Sequence, residues 1–364
     1  MKKIVGTIAA IALAASSAFA GANFGMGFNR GFFTPFAYDG DAKASIATSW
    51  GATPRIGASF SAASEDVGVV ADVKFDGGNV AVNDNAYIWV KPASWLKVQI
   101  GQSFDDTLRG NACFGTWDWL RPGNILGEDL TFVRICENPL GGAYAPLQGA
   151  IVMVDPIEGL HIAAGLRTGY GSDKWESIAK KIQVQAGYTI PGIMQIKAQY
   201  IGKGDDKQVI NAAVSLKAVE NMTLDAGVFF DTAEKAPITV GLFWGMPFGA
   251  VNANVNAQIV IPTAENGETK VAAGAGIGVD LGNGLSCGAD VRYSQTFVKD
   301  VDSDPAIAFA AWLDKGIANG TLGVAVQGAM KTSVRDFGVH KDAAGNDVFH
   351  DFTIAVPVRV QCFF

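Results

Sequence analysis

The chain has 364 residues, a net charge of −7 and a charged fraction of 17%. An acidic balance argues against a nucleic-acid partner, and the charged fraction lies below the usual quarter. With 44 glycines and no Pro-rich, Ser-rich or single-charge block to act as a linker, the composition points to one domain, secreted or membrane-bound, rather than two.

The first twenty residues form a leader. Lys2 and Lys3 precede an uncharged apolar run from Ile4 to Ala15, and Ala18-Phe19-Ala20 offers small residues around a bulky one before Gly21. This is the pattern of a secretory signal peptide with an A-x-A cleavage site. The run is shorter than the roughly 18 residues a spanning helix needs. Cleavage leaves a chain that starts at Gly21 and carries about −9, since the leader holds two lysines and no acid. Beyond it no apolar run is long enough for a transmembrane helix.

From Ala44 onward the chain alternates. Asp66 to Phe75 and Leu96 to Gln102 place apolar residues at every second position. So do Ile182 to Tyr188, Met194 to Tyr200, Ile210 to Ala218, Met222 to Asp231, Val271 to Leu281 and Leu285 to Phe297. Val251-Asn252-Ala253-Asn254-Val255-Asn256-Ala257-Gln258-Ile259 is the purest case: a strand gathers its four amides on one face, whereas a helix scatters them. Ala44 to Trp50, Leu147 to Val154 and Pro305 to Leu313 complete a set of roughly 18 strands, each about ten residues long, the length of a tilted membrane strand.

The connections alternate as well. The stretches 203–207, 231–235, 263–270, 299–304 and 335–347 are charge-rich, while 191–192, 245–249 and 282–284 are short and uncharged; 155–159 and 314–320 are the exceptions. Long loops at one end and tight turns at the other are the habit of a transmembrane barrel. Alternation alone does not say which face meets water, since a soluble sandwich buries its apolar face and a membrane barrel exposes it to lipid. The small Ala and Val residues of the apolar face favour lipid, which fills gaps a close-packed core would not tolerate. Tyr188, Tyr200, Phe230, Trp244, Tyr293, Phe297 and Phe364 fall near strand ends on that face, as interfacial girdles require. The expected fold is therefore all-β, a transmembrane antiparallel up-and-down β-barrel of about 16–18 strands. It forms a single domain over 21–364 with a long loop at about 103–146.

The last residues, His350 to Phe364, resemble the C-terminal assembly signal of bacterial outer-membrane proteins, with Val356, Val358, Val360 and Cys362 leading to Phe364. That resemblance implies recognition by the barrel-assembly machinery. A second likeness is carried by Trp50-Gly51-Ala52-Thr53-Pro54-Arg55-Ile56-Gly57 and Asp84-Asn85-Ala86-Tyr87-Ile88-Trp89-Val90-Lys91-Pro92. It continues in Thr107-Leu108-Arg109-Gly110, Gly127-Glu128-Asp129, Phe132 and Arg134. These stretches, mainly between Trp50 and Arg134, resemble the porin-like outer-membrane proteins of spirochaetes, especially treponemes. The resemblance implies passive diffusion of small hydrophilic solutes across an outer membrane. Tyr87 departs from it, standing where a basic residue facing the channel is expected, so no ion preference is carried over.

Phe104 to Pro146 breaks the strand rhythm on the loop-rich side, and a connection of that length is functional or disordered. Two arrangements are open for it. Folded inward, it constricts the pore with Asp105, Asp106, Arg109, Arg121, Glu128, Asp129 and Arg134; exposed, it carries solvated charges. Parity assigns further charges to the lumen: Arg55, Lys74, Lys97, Arg167, Lys181, Lys197, Lys217, Arg292 and Arg359 against Asp66, Asp72, Asp225, Asp280 and Asp290, with Asp351 near the end. Charge on the lipid face costs a few kcal/mol near the midplane, which is why these groups belong inside. The slight basic excess implies weak anion preference at most.

Of the four cysteines, Cys113 and Cys136 share the long loop and are expected to pair, whereas Cys287 and Cys362 are small lipid-facing residues on strands too far apart to bridge. Their spacings fit no zinc pattern, and the sequence implies no metal and no cofactor. His161, His340 and His350 have no nucleophile at a telling spacing, and nothing points to catalysis. The sequence thus implies an outer-membrane diffusion channel whose partners are lipid, the assembly machinery and small solutes; analogy with large porins alone adds a homo-oligomer, a trimer. Two rivals are an adhesin or structural barrel with a closed lumen and a substrate-specific channel with an aromatic track through Tyr87, Trp89 and Trp95.

Overall fold

The computed structural model describes residues 22–25, 29–38, 42–45, 56–76, 79–108, 147–167, 174–204, 207–233, 235–265, 267–300, 302–331, 339–341, 344, 347–349 and 351–363. Twenty strands form one antiparallel sheet. They begin with β1 (Ala22–Gly25), β2 (Asn29–Tyr38), β3 (Ala42–Ser45), β4 (Ile56–Ala63), β5 (Val67–Asp76), β6 (Asn79–Ala93) and β7 (Leu96–Ser103). Then follow β8 (Leu147–Val154), β9 (Leu160–Arg167), the short helix α1 (Trp175–Ala179), β10 (Gln183–Ile190), β11 (Met194–Gly204), β12 (Lys207–Leu216) and β13 (Thr223–Asp231). The wall continues through β14 (Ile238–Phe248), β15 (Val251–Ile261), β16 (Thr269–Gly282), β17 (Leu285–Phe297), β18 (Ala306–Ile317) and β19 (Gly320–Met330). A separate hairpin of β20 (Val339–Lys341) and β21 (Asp347–Phe349) caps the loop before the last strand, β22 (Thr353–Cys362).

Consecutive strands from β4 to β19 pair with one another, and β19 pairs with β22. The N-terminal segment then spans from one end of this wall to the other. β2 pairs with β22, from Asn29 opposite Cys362 to Tyr38 opposite Ile354, and β1, just upstream of β2, pairs with β4. Reading β1 with β2 and β3 with β4 as two interrupted passages, the wall has eighteen passages. The fold is the expected all-β transmembrane barrel, but its strands start at Ala22, not at Ala44. The segment from Asn29 to Tyr38 hides its strand character: Phe33 and Phe36 flank a register shift that includes Pro35, which has no N–H for a ladder.

Tight turns recur at one end. At Gly282-Asn283-Gly284 all three residues take positive φ, of 81°, 53° and 71°, a conformation that glycine and asparagine enter at least cost. Gly249–Ala250 and Ala318–Asn319 turn at the same end, while the longer connections 298–305, 331–352 and 104–146 leave from the other.

The two faces answer the question that alternation left open. In β15, Asn256 and Gln258 are buried inside the wall, while Val255, Ile259 and Ile261 are exposed outside it. Gln183, Gln185, Lys197, Gln199, Asn211 and Asp225 likewise turn inward, and Tyr188, Ile196, Val240, Leu242, Val291, Phe309, Val324 and Val360 outward. A soluble sandwich would show the reverse. An apolar exterior of this extent is stable only against lipid. The aromatic residues named above from β10 to β17 all share the outward parity, with Tyr188 and Phe297 exposed at their strand ends; Phe364 lies outside the described residues. In β22, Val356, Val358, Val360 and Cys362 occupy the outward face, opposite the buried Thr353, Ala355, Arg359 and Gln361.

Candidate functional site

The lumen wall is built by the inward parity of β5 to β22. Inward-facing side chains of Asn256, Gln258, Gln327 and Thr353 hold buried polar atoms with no hydrogen-bond partner in the protein. Kept dry, each would cost about 1–3 kcal/mol. Several such groups lining one interior are the chemistry of a wetted lumen, since water satisfies amides that the ladder cannot reach. Toward the long-loop end Ala37, Ala272, Ala308, Ala329 and Ala355 gather into a small apolar cluster.

The start of the long connection folds into this lumen. Ser103 ends β7, and the next residues run along the inner wall of β9 to β12. Asp105 is 3% exposed and His161, on β9, is 8% exposed. One carboxylate oxygen of Asp105 lies 2.8 Å from His161 Nε2, and Asp155, in the β8–β9 turn, reaches His161 Nδ1 at 2.7 Å. Gln185 Nε2 donates to Asp105 Oδ2 at 2.5 Å, and both the hydroxyl (2.6 Å) and the N–H (3.1 Å) of Thr107 donate to Asp105 Oδ1. Burial pushes the Asp105 carboxyl up, but the bonds from His161 and Thr107 outweigh it and hold it below the ordinary carboxylate value. With a carboxylate on each ring nitrogen, His161 keeps no free nitrogen to act as a base or ligand; the cluster is a clamp on the loop.

Leu108 completes the clamp. It is 1% exposed and packs against Ala213 of β12, and its Cδ2 lies 2.5 Å from where a β-carbon would stand at Gly187 of β10. A β-carbon at 187 would overlap the Leu108 side chain, so glycine there leaves room for the leucine to seat.

The sequence-assigned charges distribute unevenly. Lys74, Lys97, Lys197, Arg292, Arg359, Asp72, Asp225 and Asp290 sit on strands with the inward parity, and Lys197, Arg292, Arg359, Asp225 and Asp290 are buried. Asp280 is inward but exposed, near the β16–β17 turn. Asp66, Lys181 and Lys217 fall instead in connections, and Asp66 and Lys217 are exposed. Asp351 is an exposed residue just before β22, where it pairs with Lys331 at 2.5 Å. Arg55, Arg109, Arg121, Glu128, Asp129 and Arg134 lie outside the described residues, as do Cys113, Cys136, the leader 1–20 and the side chain of Arg167. Asp106 is exposed, beside the clamp. Cys287 and Cys362 are free and half-buried.

Pairing inside the wall follows neighbouring strands. Arg292 reaches Asp290 at 3.4 Å, and Arg359 reaches across β19 to Asp314 at 2.8 Å. Asp72 accepts from Ser59 and from Asn85, each at 2.6 Å. Tyr87 and Trp89 face inward from β6; Lys91 and Lys97 place their ammonium groups 5.5 and 5.3 Å from the Trp89 ring. Trp95 is exposed in the β6–β7 turn rather than in line with them.

No protein-family model and no curated protein matches the sequence. Solved structures do match the fold. OccAB4 of Acinetobacter baumannii superposes with a TM-score of 0.57 at 10% identity, over 95% of this chain and 99% of its own. OpdK of Pseudomonas aeruginosa, solved with vanillate, gives 0.53 at 13% identity over 94% and 98%. A loop L8 deletion form of OmpT, an outer membrane protein of Vibrio cholerae, gives 0.52 at 10% identity over 94% and 99%. The chain shares the fold of these barrels. At such identities the likeness is one of architecture and assigns no residue a role.

Proposed function

We propose that this chain is an outer-membrane porin: a passive channel for small hydrophilic solutes and ions, narrowed from within by the start of its long loop. The observation that carries the reading is the inverted barrel, with amides and charges inside and a predominantly apolar surface outside among the described residues. The barrels it resembles in fold include an outer membrane protein, which supports the same location. Export through a cleaved signal peptide over 1–20, assembly through the terminal strand and a homo-oligomeric state belong to this reading. So does a Cys113–Cys136 bridge that braces the loop.

The clamp at Asp105 favours a selective version of this channel over a wide one. It fixes Phe104 to Leu108 against the inner wall, so a solute must pass polar side chains at close range. The paired charges inside nearly cancel, which leaves at most a weak anion preference. Swelling of proteoliposomes in solutes of graded size tests the proposal. Uptake of small neutral solutes with a sharp size limit is expected, and folded, inserted protein that admits none of them would refute it.

A further inference from the structure

Resting on the channel reading, a second site emerges at the tight-turn end of the lumen, on β15 to β22 rather than on the clamp's β8 to β12. There a cavity of about 550 Å³ is lined by Asn252, Asn254, Ser286, Trp312, Asp314 and Arg359, with Asp280 at its edge. Its size falls in the roughly 300–1,000 Å³ range of small-molecule sites.

Three features give the cavity its chemistry. Trp312 faces inward from β18 with its six-membered ring laid across Gly288 of β17, where any β-carbon would overlap the ring. The glycine therefore lets the indole close directly on the wall, where it lines the cavity. Asp314 Oδ2 accepts from Arg359 Nη2 at 2.8 Å, across Gly323 of the intervening strand, while Asp314 Oδ1 is buried with no partner in the protein. Asn252 and Asn254 add primary amides, each able to donate and accept, and Ser286 and Thr321 add hydroxyls.

We propose that this cavity is a subsite for a neutral saccharide. The indole π-face is electron-rich and suits the polarised C–H face of a pyranose ring. Ring hydroxyls act as donor and acceptor together, matching the amides and the open Asp314 oxygen. Charged solutes fit less well. An anion meets Asp314 and Asp280, and a cation meets the Arg359 guanidinium. Asp280 itself is engaged, accepting the Gly282 N–H at 2.8 Å and so holding the turn rather than a ligand.

The test uses the full-length protein in planar bilayers, with maltose and maltotriose added from either side. Saturable reduction of the ion current is expected. Trp312→Ala should raise the half-blocking concentration about tenfold, Trp312→Phe should restore part of it, and Asp314→Asn should weaken the block with the ring in place. The phenylalanine and asparagine variants guard against an alanine variant that fails to fold. A current that falls only in step with solution viscosity would overturn the subsite. So would a block that Trp312→Ala leaves unchanged, or a stronger block by succinate or putrescine at equal concentration. If the protein passes no current, the channel reading fails separately. Calorimetric titration of the detergent-folded barrel with maltotriose then decides the subsite: saturable heat absent from Trp312→Ala supports it, and no heat refutes it.

Discussion

Ile277 and Gly278 are neighbours on β16 that point in opposite directions. Ile277 is 46% exposed on the outer face, and a β-carbon added at Gly278 would meet nothing within 4 Å inside the barrel. An arginine at 277 therefore enters hydrocarbon, while one at 278 enters a polar lumen with room for it. Near the bilayer midplane an arginine on the lipid face costs about 2–4 kcal/mol. That is roughly a 30- to 900-fold fall in the folding equilibrium. Ile277→Arg should therefore lose about that much stability and Gly278→Arg close to none. Urea titration of folding into phosphatidylcholine vesicles, followed by the shift of the folded band in unheated gels, measures both. Equal losses, or a larger loss for Gly278→Arg, would refute the assignment of the outer face to lipid.

Other outcomes follow from the clamp and the loop. His161→Ala removes a hydrogen bond to a charged group, worth about 1.5–3 kcal/mol; it should release the loop and show as more frequent changes between conductance levels, and a trace identical to wild type would count against the clamp. The Asp105 carboxyl is depressed in the folded state, so it stabilises the clamp at pH above the ordinary carboxylate value of about 3.9 and loses that contribution as pH falls through its lowered value. Hydrogen exchange at Thr107 and Leu108 should accordingly stay slow at pH 5 and quicken only in stronger acid; quickening already between pH 6 and 5 would contradict the sign. Deleting Asn111 to Glu137 should raise single-channel conductance, and an unchanged value would sink the inward-folding loop. Mass spectrometry after alkylation should find Cys113 and Cys136 blocked and Cys287 and Cys362 modified once unfolded; four reactive thiols would exclude the bridge.

Most of the wall was readable because lipid and water impose a period of two on every strand. Val251 to Ile261 announces both faces in its amides, and the charge-poor turns mark one end. The first strands were not readable: Asn29 to Tyr38 carries Pro35 in an irregular register and is held by pairing with β22 on one side and β3 on the other. Nor was the clamp. His161 lies 56 residues from Asp105 in sequence, and nothing local marks the pair. Its one available sign was a glycine at 187 among larger inward residues, Gln183 and Gln185, which leaves room for Leu108. The seat of Trp312 was hidden in the same way, since the glycine it closes on, Gly288, sits on a different strand.

Ion conductance of the purified, refolded protein in a planar lipid bilayer tests the central claim most directly. Steady open steps in symmetric salt, with a small reversal potential under a salt gradient, are the predicted result. A barrel that is folded and inserted yet passes no current would contradict the account and turn the reading toward a structural or adhesive barrel with a closed lumen.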